Sequence, residues 1–589
     1  MNWFSSYRVR TVLLSLALSE ATVLGLGSYY ETNDDTTLAW LFSGVLALKP
    51  VPSVTLFLHG YGHLLAAAYT AAPGVPWLGL LLGALLGAAT VLAFAVLDKL
   101  LRPCLRPGPL VLVLTLFFGL AWLEHWLWFS HARVALLLAG VGVLFAAQRP
   151  GRRGALLIGL LALGAAWLIR PSLATLGAAA AVPAAVWLAG SWRRAFPVLG
   201  SAALGLLLAT GILHWQQTPA EARAQRRDAT FSRILDFDQI RPQPHTPADS
   251  LGTAAISLWL LGDSTVVNKD LIQRAYRFDA ADFLTREVPA KLRQRLTLLG
   301  RDYFPLLLVL AATAVAVARR RGRHGWFWLL QLGFAGGLIL LAGVFKLPPR
   351  LGLPLLDFWL LTNLVFWLNN ADAASANHAS GGAQAAEEVE AAPVAESFRR
   401  PALYASGERL PWMEPGALPR RGAIAGLLLV ITLYVVKTWH RHQVLSQEQR
   451  RHESALDVIT VQEARRVRIL AGTNDLLKSL SPFRIYRHGR QPVLLLTGWS
   501  SHDASQAELR RALTGTSDQT ECLRRLAELG TYGSEADALW VLTPETARWL
   551  NHRFLLGGPR VQLWQGPLPT AYGADSAAWR YHIREPADR

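Results

Sequence analysis

Acidic residues and thiols are both scarce in this 589-residue chain. It has 41 Asp and Glu residues against 58 Lys and Arg, and only two cysteines, Cys104 and Cys522. Two distant cysteines exclude a disulfide framework and a cysteine-based zinc site. The chain also lacks a Gly-rich phosphate loop, a dinucleotide-binding fingerprint and a Gly-x-Ser-x-Gly elbow, so nucleotide-driven chemistry is disfavoured.

Long apolar runs are abundant, since 52% of the residues are hydrophobic. A bilayer core is crossed by about 20 apolar residues, so such runs predict membrane-spanning helices. The basic residues cluster at alternate ends of the runs, as in cytoplasmic loops, which excludes a nucleic-acid-binding stripe despite the net charge of +17. Arg8 and Arg10 place the N-terminus in the cytoplasm. Eleven spans are expected, near 11–27, 77–97, 108–124, 132–147, 154–169, 173–190, 196–213, 303–318, 326–344, 351–368 and 422–438.

The polar segments between the spans complete the predicted organisation. Residues 1–369 form a multi-span domain with two outer loops, 28–76 and 214–302. We expect two helices lying in the membrane interface within 38–72, although the residues leave open whether 54–71 crosses the membrane. Residues 370–421 are predicted to be a disordered cytoplasmic linker before the last span, 422–438.

The chain after the last span, residues 439–589, is predicted to be an extracytoplasmic α/β domain. Residues 445–480 are expected to be helical, and a second helix is expected over 546–554. Strands are expected at three apolar stretches, which are 492–497, 538–542 and 561–564.

The first outer loop contains the leading candidate site, Asn33-Asp34-Asp35. A carboxylate at the boundary of water and lipid can accept a proton from a sugar hydroxyl, or bind a divalent cation that neutralises a phosphate. Asn and Asp are also favoured at helix N-caps, so a purely structural role is equally consistent with the spacing.

Two further features could take part in chemistry at a membrane surface. Glu124-His125 lies in an aromatic run and is consistent with a proton relay, with metal ligands, or with an ordinary aromatic belt. Arg170 is an isolated cation at an expected outer helix end, and Lys346 and Arg350 bracket another outer loop. These cations suit a lipid phosphate or pyrophosphate, although snorkelling to headgroups is the simpler alternative.

This layout resembles the GT-C superfamily of membrane glycosyltransferases. The resemblance covers most of the chain through short elements, which are Asn33-Asp34-Asp35, Leu41–Gly44, Val75-Pro76-Trp77, Ile169-Arg170-Pro171, Leu235–Phe237, Trp259–Asp263 and Gly498-Trp499. It implies an all-α polytopic protein of a bacterial inner membrane, with a polyprenyl-phosphate sugar as donor. The acceptor would be an envelope lipid, glycan or protein.

The resemblance also implies roles for residues. Asp34 or Asp35 would act as the catalytic base or hold Mg²⁺ or Mn²⁺, with Asn33, Glu124 and His125 in support. The cations Arg170, Lys346 and Arg350 would hold the donor phosphate.

Two other function classes remain open. An envelope-lipid transporter or flippase would need ionisable residues inside the spans, which are nearly free of them apart from Glu20 and, close to the end of a span, Asp357; this counts against ion-coupled transport. A non-enzymatic scaffold would use the terminal domain to bind a partner and would tolerate changes at Asp34, Asp35 and Arg170.

Overall fold

Apolar helices dominate the computed structural model. The structure describes residues 6–54, 57–319, 324–383, 420–457, 459, 467–486, 493–531, 538–556, 562–565 and 579–584. In this part of the chain seven helices are long and apolar enough to cross a membrane, as is typical of multi-pass membrane proteins. They are Val9–Leu26, Trp77–Leu101, Pro107–Leu127, Pro171–Ala189, Trp192–Gln216, Gly325–Val344 and Pro349–Leu368.

The other four expected spans also coincide with helices. His131–Ala147 and Arg153–Ile169 are apolar but have 17 residues each, and almost every residue of the first is buried among its neighbours. Phe304–Ala318 follows the helical stretch Ala280–Asp302 at a bend of 87°. The last expected span lies within Arg420–Asp457. All eleven runs are thus helical, whereas their crossing of a membrane stays a prediction.

Two short helices follow the first apolar helix. Asn33–Ser43 and Gly62–Ala71 have 11 and 10 residues. Ten helical residues extend about 15 Å, half of the roughly 30 Å hydrocarbon core, so Gly62–Ala71 is too short to span it. This length agrees with helices that lie along an interface.

The segment expected to be a linker is partly helical. The helix that begins at Pro349 continues to Ala383, beyond the expected boundary at residue 370. Alanine recurs in this stretch and is the strongest helix former, so low hydrophobicity did not by itself imply disorder. The remainder, 384–419, lies outside the described residues.

The second outer loop folds into short helices that pack beside the terminal domain. One pair of two-residue strands, Arg241–Pro242 and Tyr276–Arg277, joins them in antiparallel register. The α-helices are Pro219–Phe231, Pro247–Ser257, Lys269–Ala275, Ala280–Asp282 and Val288–Asp302.

The terminal domain contains a five-stranded mixed sheet. Its strand order is Val493–Leu495, Arg468–Ala471, Leu539–Leu542, Trp579–Arg584 and Gln562–Gln565. The first three strands are parallel and the last two pair antiparallel, and the helices are Ala504–Thr514, Gln519–Thr531 and Pro544–Leu555. The three expected strands and the helix over 546–554 are therefore confirmed.

One expectation for this domain is wrong. Residues 445–480 are not helical throughout, because Arg468–Ala471 is a fully buried strand and Asn474–Leu477 is a short 3₁₀ helix. A four-residue apolar run gives no periodicity that distinguishes strand from helix, and only the pairing with strands on both sides decides it.

The sheet domain docks on the loop that follows the first apolar helix. Tyr30 donates its backbone N–H to Leu480 at 2.9 Å, and Ser479 donates back to Tyr30 at 3.0 Å. Val493, in the edge strand, donates to the carbonyl of Val45 at 3.2 Å. The domain therefore lies directly over the acidic motif.

Candidate functional site

The acidic motif opens the helix Asn33–Ser43. A short parallel strand pair, Tyr29–Tyr30 with Trp128–Phe129, anchors the chain just before it. The N-cap position is Thr32, which makes no side-chain capping bond, and Asp34 and Asp35 lie in the first helical turn. Carboxylates there are stabilised by the helix dipole. None of the three motif residues is itself the N-cap, but Asp35 at the third helical position accepts a hydrogen bond from the Thr32 hydroxyl, so it contributes to the start of the helix.

Asp35 is fully buried and paired with a histidine. Its Oδ1 accepts hydrogen bonds from His131 Nδ1 at 2.6 Å and from the His131 backbone N–H at 2.9 Å, while Oδ2 accepts from Thr32 at 3.1 Å. Burial alone would raise the pKa of Asp35, but the charge and hydrogen bonds of His131, with the charge of Arg350, lower it below its ordinary value. With both oxygens occupied, Asp35 is placed to orient its surroundings.

Asp34 is the more accessible carboxylate, with 22% of its side chain exposed. Its Oδ1 accepts a hydrogen bond from the Trp499 indole at 3.0 Å, and its Oδ2 lies 3.7 Å from Arg350 Nη2. Trp499 comes from the sheet domain and Arg350 from the start of an apolar helix. Asp34 is therefore held at the junction of the two parts of the molecule.

The predicted phosphate-binding cations lie near two acids, Asp34 and Asp236. Lys346 Nζ lies 3.8 Å from the Asp236 carboxylate, and Arg350 lies beside Asp34. Burial lowers the pKa of Arg170, as does the charge of Arg350, while Asp34 and Asp236 oppose this shift. These couplings place Arg170, Lys346 and Arg350 in one electrostatic cluster, which we call the cationic cluster.

Arg170 stands out within the cationic cluster. Its guanidinium lies 5.0 Å from the centre of the Phe57 ring, a cation–π contact. Among the described residues, no carboxylate lies within 4.0 Å of this guanidinium. A half-buried cation without a close counter-ion is suited to an anion that arrives from outside.

Asp236 adds an acid to the same cluster. Burial raises the pKa of Asp236, and Asp34 raises it further, against the opposing charge of Lys346. Its only mark in the sequence is its place in the element Leu235–Phe237 of the GT-C resemblance. Acidic residues are common in polar loops, so the composition of the loop 214–302 gave no reason to single out Asp236.

Phe57 connects the residues at the base of the site. Its ring makes edge-to-face contacts with His131, at 5.0 Å between centroids, and with Trp499, at 5.4 Å. It therefore separates the Asp35–His131 pair from Arg170 and supports the ring that bonds Asp34. Sequence reasoning missed Phe57 and His131, because neither belongs to a motif and their partners are distant along the chain.

Glu124 and His125 lie elsewhere, in buried ion pairs. Glu124 bonds Lys437 at 2.7 Å and Arg441 at 2.8 Å, and so fastens the helix Arg420–Asp457. His125 bonds Asp357 at 2.7 Å, with neither side chain exposed. The interpretation as an aromatic belt in water is wrong for these two residues, and they do not join Asp34.

A buried polar chain connects His125 with the outer loop. Arg133 lies 3.2 Å from His125 Nδ1 and 2.8 Å from the Glu31 carboxylate. Glu31 precedes the acidic motif, so the chain reaches the edge of the candidate site.

The donor set around Asp34 fits an anion better than a divalent cation. Both oxygens of Asp35 are occupied by His131 and Thr32, and Asp34 faces Arg350 and an indole N–H. In the part of the chain that the structure describes, no group of three His, Cys, Asp or Glu side chains could hold a metal ion. Mg²⁺ prefers several oxygen ligands, which neighbouring cations would oppose.

Comparison with known proteins finds no matching family model, no matching curated protein and no matching solved structure. The argument for function therefore depends on the geometry of the cationic cluster and the acidic motif.

Proposed function

We propose that this protein is a membrane glycosyltransferase that uses a polyprenyl-phosphate sugar. The observation that carries the proposal is the gathering of Arg170, Lys346 and Arg350 near the acids Asp34 and Asp236, from segments far apart in the chain. Three cations close to an accessible carboxylate match a reaction in which a phosphate leaves as an alcohol loses a proton.

The proposed reaction assigns separate roles to the two charges. An acceptor hydroxyl attacks the anomeric carbon, the bond from that carbon to the phosphate oxygen breaks, and Asp34 takes the hydroxyl proton. Attack opposite the leaving phosphate inverts the anomeric centre. Arg170, Lys346 and Arg350 stabilise the phosphate that departs on the polyprenyl carrier. Asp35, held by His131, positions the first turn that carries Asp34.

The GT-C likeness and the sidedness belong to the same proposal. We infer eleven crossings with the N-terminus in the cytoplasm and the sheet domain outside, in a bacterial inner membrane. The short helices after the first span agree with an interfacial segment that receives a lipid-linked substrate. The acceptor would be an envelope lipid, glycan or protein.

The test is whether a carrier lipid binds at the cationic cluster. The protein is purified in native-lipid nanodiscs and its lipids are identified by mass spectrometry, for the wild type, Arg170→Ala and the exposed control Arg293→Ala. We expect a polyprenyl-phosphate species that is lost only with Arg170→Ala. Absence of any such lipid, or one indifferent to Arg170, would overturn the proposal.

Activity separates the roles of the two acids. Asp34→Asn should abolish transfer to an acceptor while carrier lipid still co-purifies, because the base is lost and the cations remain. If Asp34→Asn and Asp35→Asn both left transfer unchanged, the catalytic assignment would be wrong.

A lipid transporter is the second candidate, favoured by the buried chain Glu31–Arg133–His125–Asp357. Ionisable residues buried among apolar helices are costly and commonly mark proton or ion pathways. A transporter would move a fluorescent polyprenyl-phosphate sugar across the membrane of a liposome with its sugar still attached, and Asp357→Asn would stop this movement.

A further inference from the structure

A cavity lies beside the segment that carries Phe57, next to the cationic cluster. It has a volume of about 300 Å³, near the lower end for small-ligand pockets. It lies between the segment 53–59 and the junction of the helices Trp192–Gln216 and Pro219–Phe231. The polar side chains used here are His59, Thr210, Gln217, Glu221 and Gln225, and we call the space the glutamine cavity.

The lining of the glutamine cavity is partly polar and partly apolar, and it carries no lysine or arginine among the described residues. The amide, imidazole and hydroxyl groups can donate and accept hydrogen bonds and the Glu221 carboxylate accepts them, a combination that suits neutral hydroxyls better than a phosphate. Gln217 Nε2 donates to Gln225 Oε1 at 2.8 Å, and this leaves the second group of each amide for a ligand. The aromatic ring of Trp167 lies 6.2 Å from that of His59.

The glutamine cavity and the cationic cluster share two structural elements. Phe57 contacts Arg170, whereas His59, two residues later, lines the glutamine cavity. Leu58 donates its backbone N–H to Ile169 at 2.8 Å, which fixes the segment beside the residue before Arg170. Trp167 lies in the last turn of the helix Arg153–Ile169, which ends directly before Arg170.

We propose that the glutamine cavity binds a neutral, hydroxyl-rich glycosyl group. This rests on the proposed function, because a sugar is expected here only if the cationic cluster holds the donor phosphate. The sugar would then be either the one linked to that phosphate or the one that accepts the transferred group. Both sugars present the same hydroxyls to the amides.

The experiment uses methyl glycosides as probes, with the full chain in nanodiscs free of glycoside detergents. Methyl glucoside, mannoside, galactoside, N-acetylglucosaminide and arabinofuranoside are screened by saturation-transfer NMR. We expect at least one to bind, and its affinity to fall about tenfold or more in the double variant Gln217→Leu/Gln225→Leu. The exposed Gln273→Leu is the matched control and should not change the affinity.

Two results would overturn the assignment of the glutamine cavity: no glycoside binds, or binding survives the double variant. Carrier-lipid retention in the same variant separates this failure from that of the proposed function. If polyprenyl phosphate still binds through Arg170, the proposed function stands and only the cavity assignment falls. If the assignment holds, a competition experiment shows which sugar the cavity binds. When the cavity binds the donor sugar, protein loaded with a lipid-linked sugar no longer binds the glycoside. When the cavity binds the acceptor sugar, the loaded protein still binds it.

Discussion

Arg170 provides the sharpest test, because stability and ligand binding should respond in opposite ways when it is replaced. Arg170→Met keeps an unbranched side chain against Phe57 and removes only the charge and its donors. Burial lowers the pKa of Arg170, so the folded protein disfavours the charged form. At neutral pH the guanidinium is charged in both the folded and the unfolded state. The free energy of desolvating the charge therefore destabilises the folded state in full.

The expected magnitudes follow from these contacts. The free energy of unfolding of Arg170→Met should equal or slightly exceed that of the wild type, because no close counter-ion among the described residues loses its partner. Binding of a phosphate should weaken by about 1.5–3 kcal/mol, the usual contribution of a charged hydrogen bond. That free energy corresponds to a loss of roughly ten- to hundredfold in affinity.

The assay is thermal unfolding in nanodiscs with and without added polyprenyl phosphate. A ligand at 100 times its Kd stabilises the folded state by about 2.7 kcal/mol, so the wild type should unfold at a higher temperature with lipid. Arg170→Met should lose at least about half of this shift, because a ten- to hundredfold weaker affinity leaves about 1.4 to 0.4 kcal/mol of the stabilisation, and the exposed Arg293→Met should keep it. The reasoning is refuted if Arg170→Met is clearly less stable without lipid, or if its lipid-dependent shift equals that of the wild type.

Three further outcomes are expected. Gly79→Ala should weaken the packing of the sheet domain on the apolar helices, since a Cβ at this position would lie 1.7 Å from the Pro482 carbonyl oxygen. Faster proteolysis of the sheet domain checks this. Gly119→Ala is the control, because a Cβ there has no neighbour within 4 Å among the described residues. Glu124→Ala should destabilise the fold in thermal unfolding, toward the lower end of about 3–5 kcal/mol, because two largely buried cations lose a carboxylate while Arg441 keeps its pairing with Asp302. Lowering the pH should strengthen phosphate binding, because Asp236, whose pKa is raised, takes up a proton and loses its negative charge. Asp236→Asn should bind phosphate more tightly than the wild type at pH 7, and its affinity should depend less on pH. The ligand titrates equally in both measurements, so comparing the two proteins removes its contribution.

The apolar helices could be predicted from the sequence. Bilayer thickness sets the length of a span and hydropathy is a local property, so these helices can be predicted without knowledge of tertiary contacts. The strands at 493–495 and 539–542 were likewise marked by short apolar runs between polar segments. Arg170 was conspicuous because an isolated cation at an outer helix end departs from the charge pattern.

Only the tertiary structure decided how the two acids of the motif differ. Asp35 and His131 are 96 residues apart, and Asp34 and Trp499 are 465 apart, so no local pattern could pair them. Neighbouring carboxylates project from a helix in different directions, and the packing around the first turn buries one and leaves the other accessible. The cationic cluster has the same origin, because electrostatic coupling depends on distance in space and the sequence records only distance along the chain.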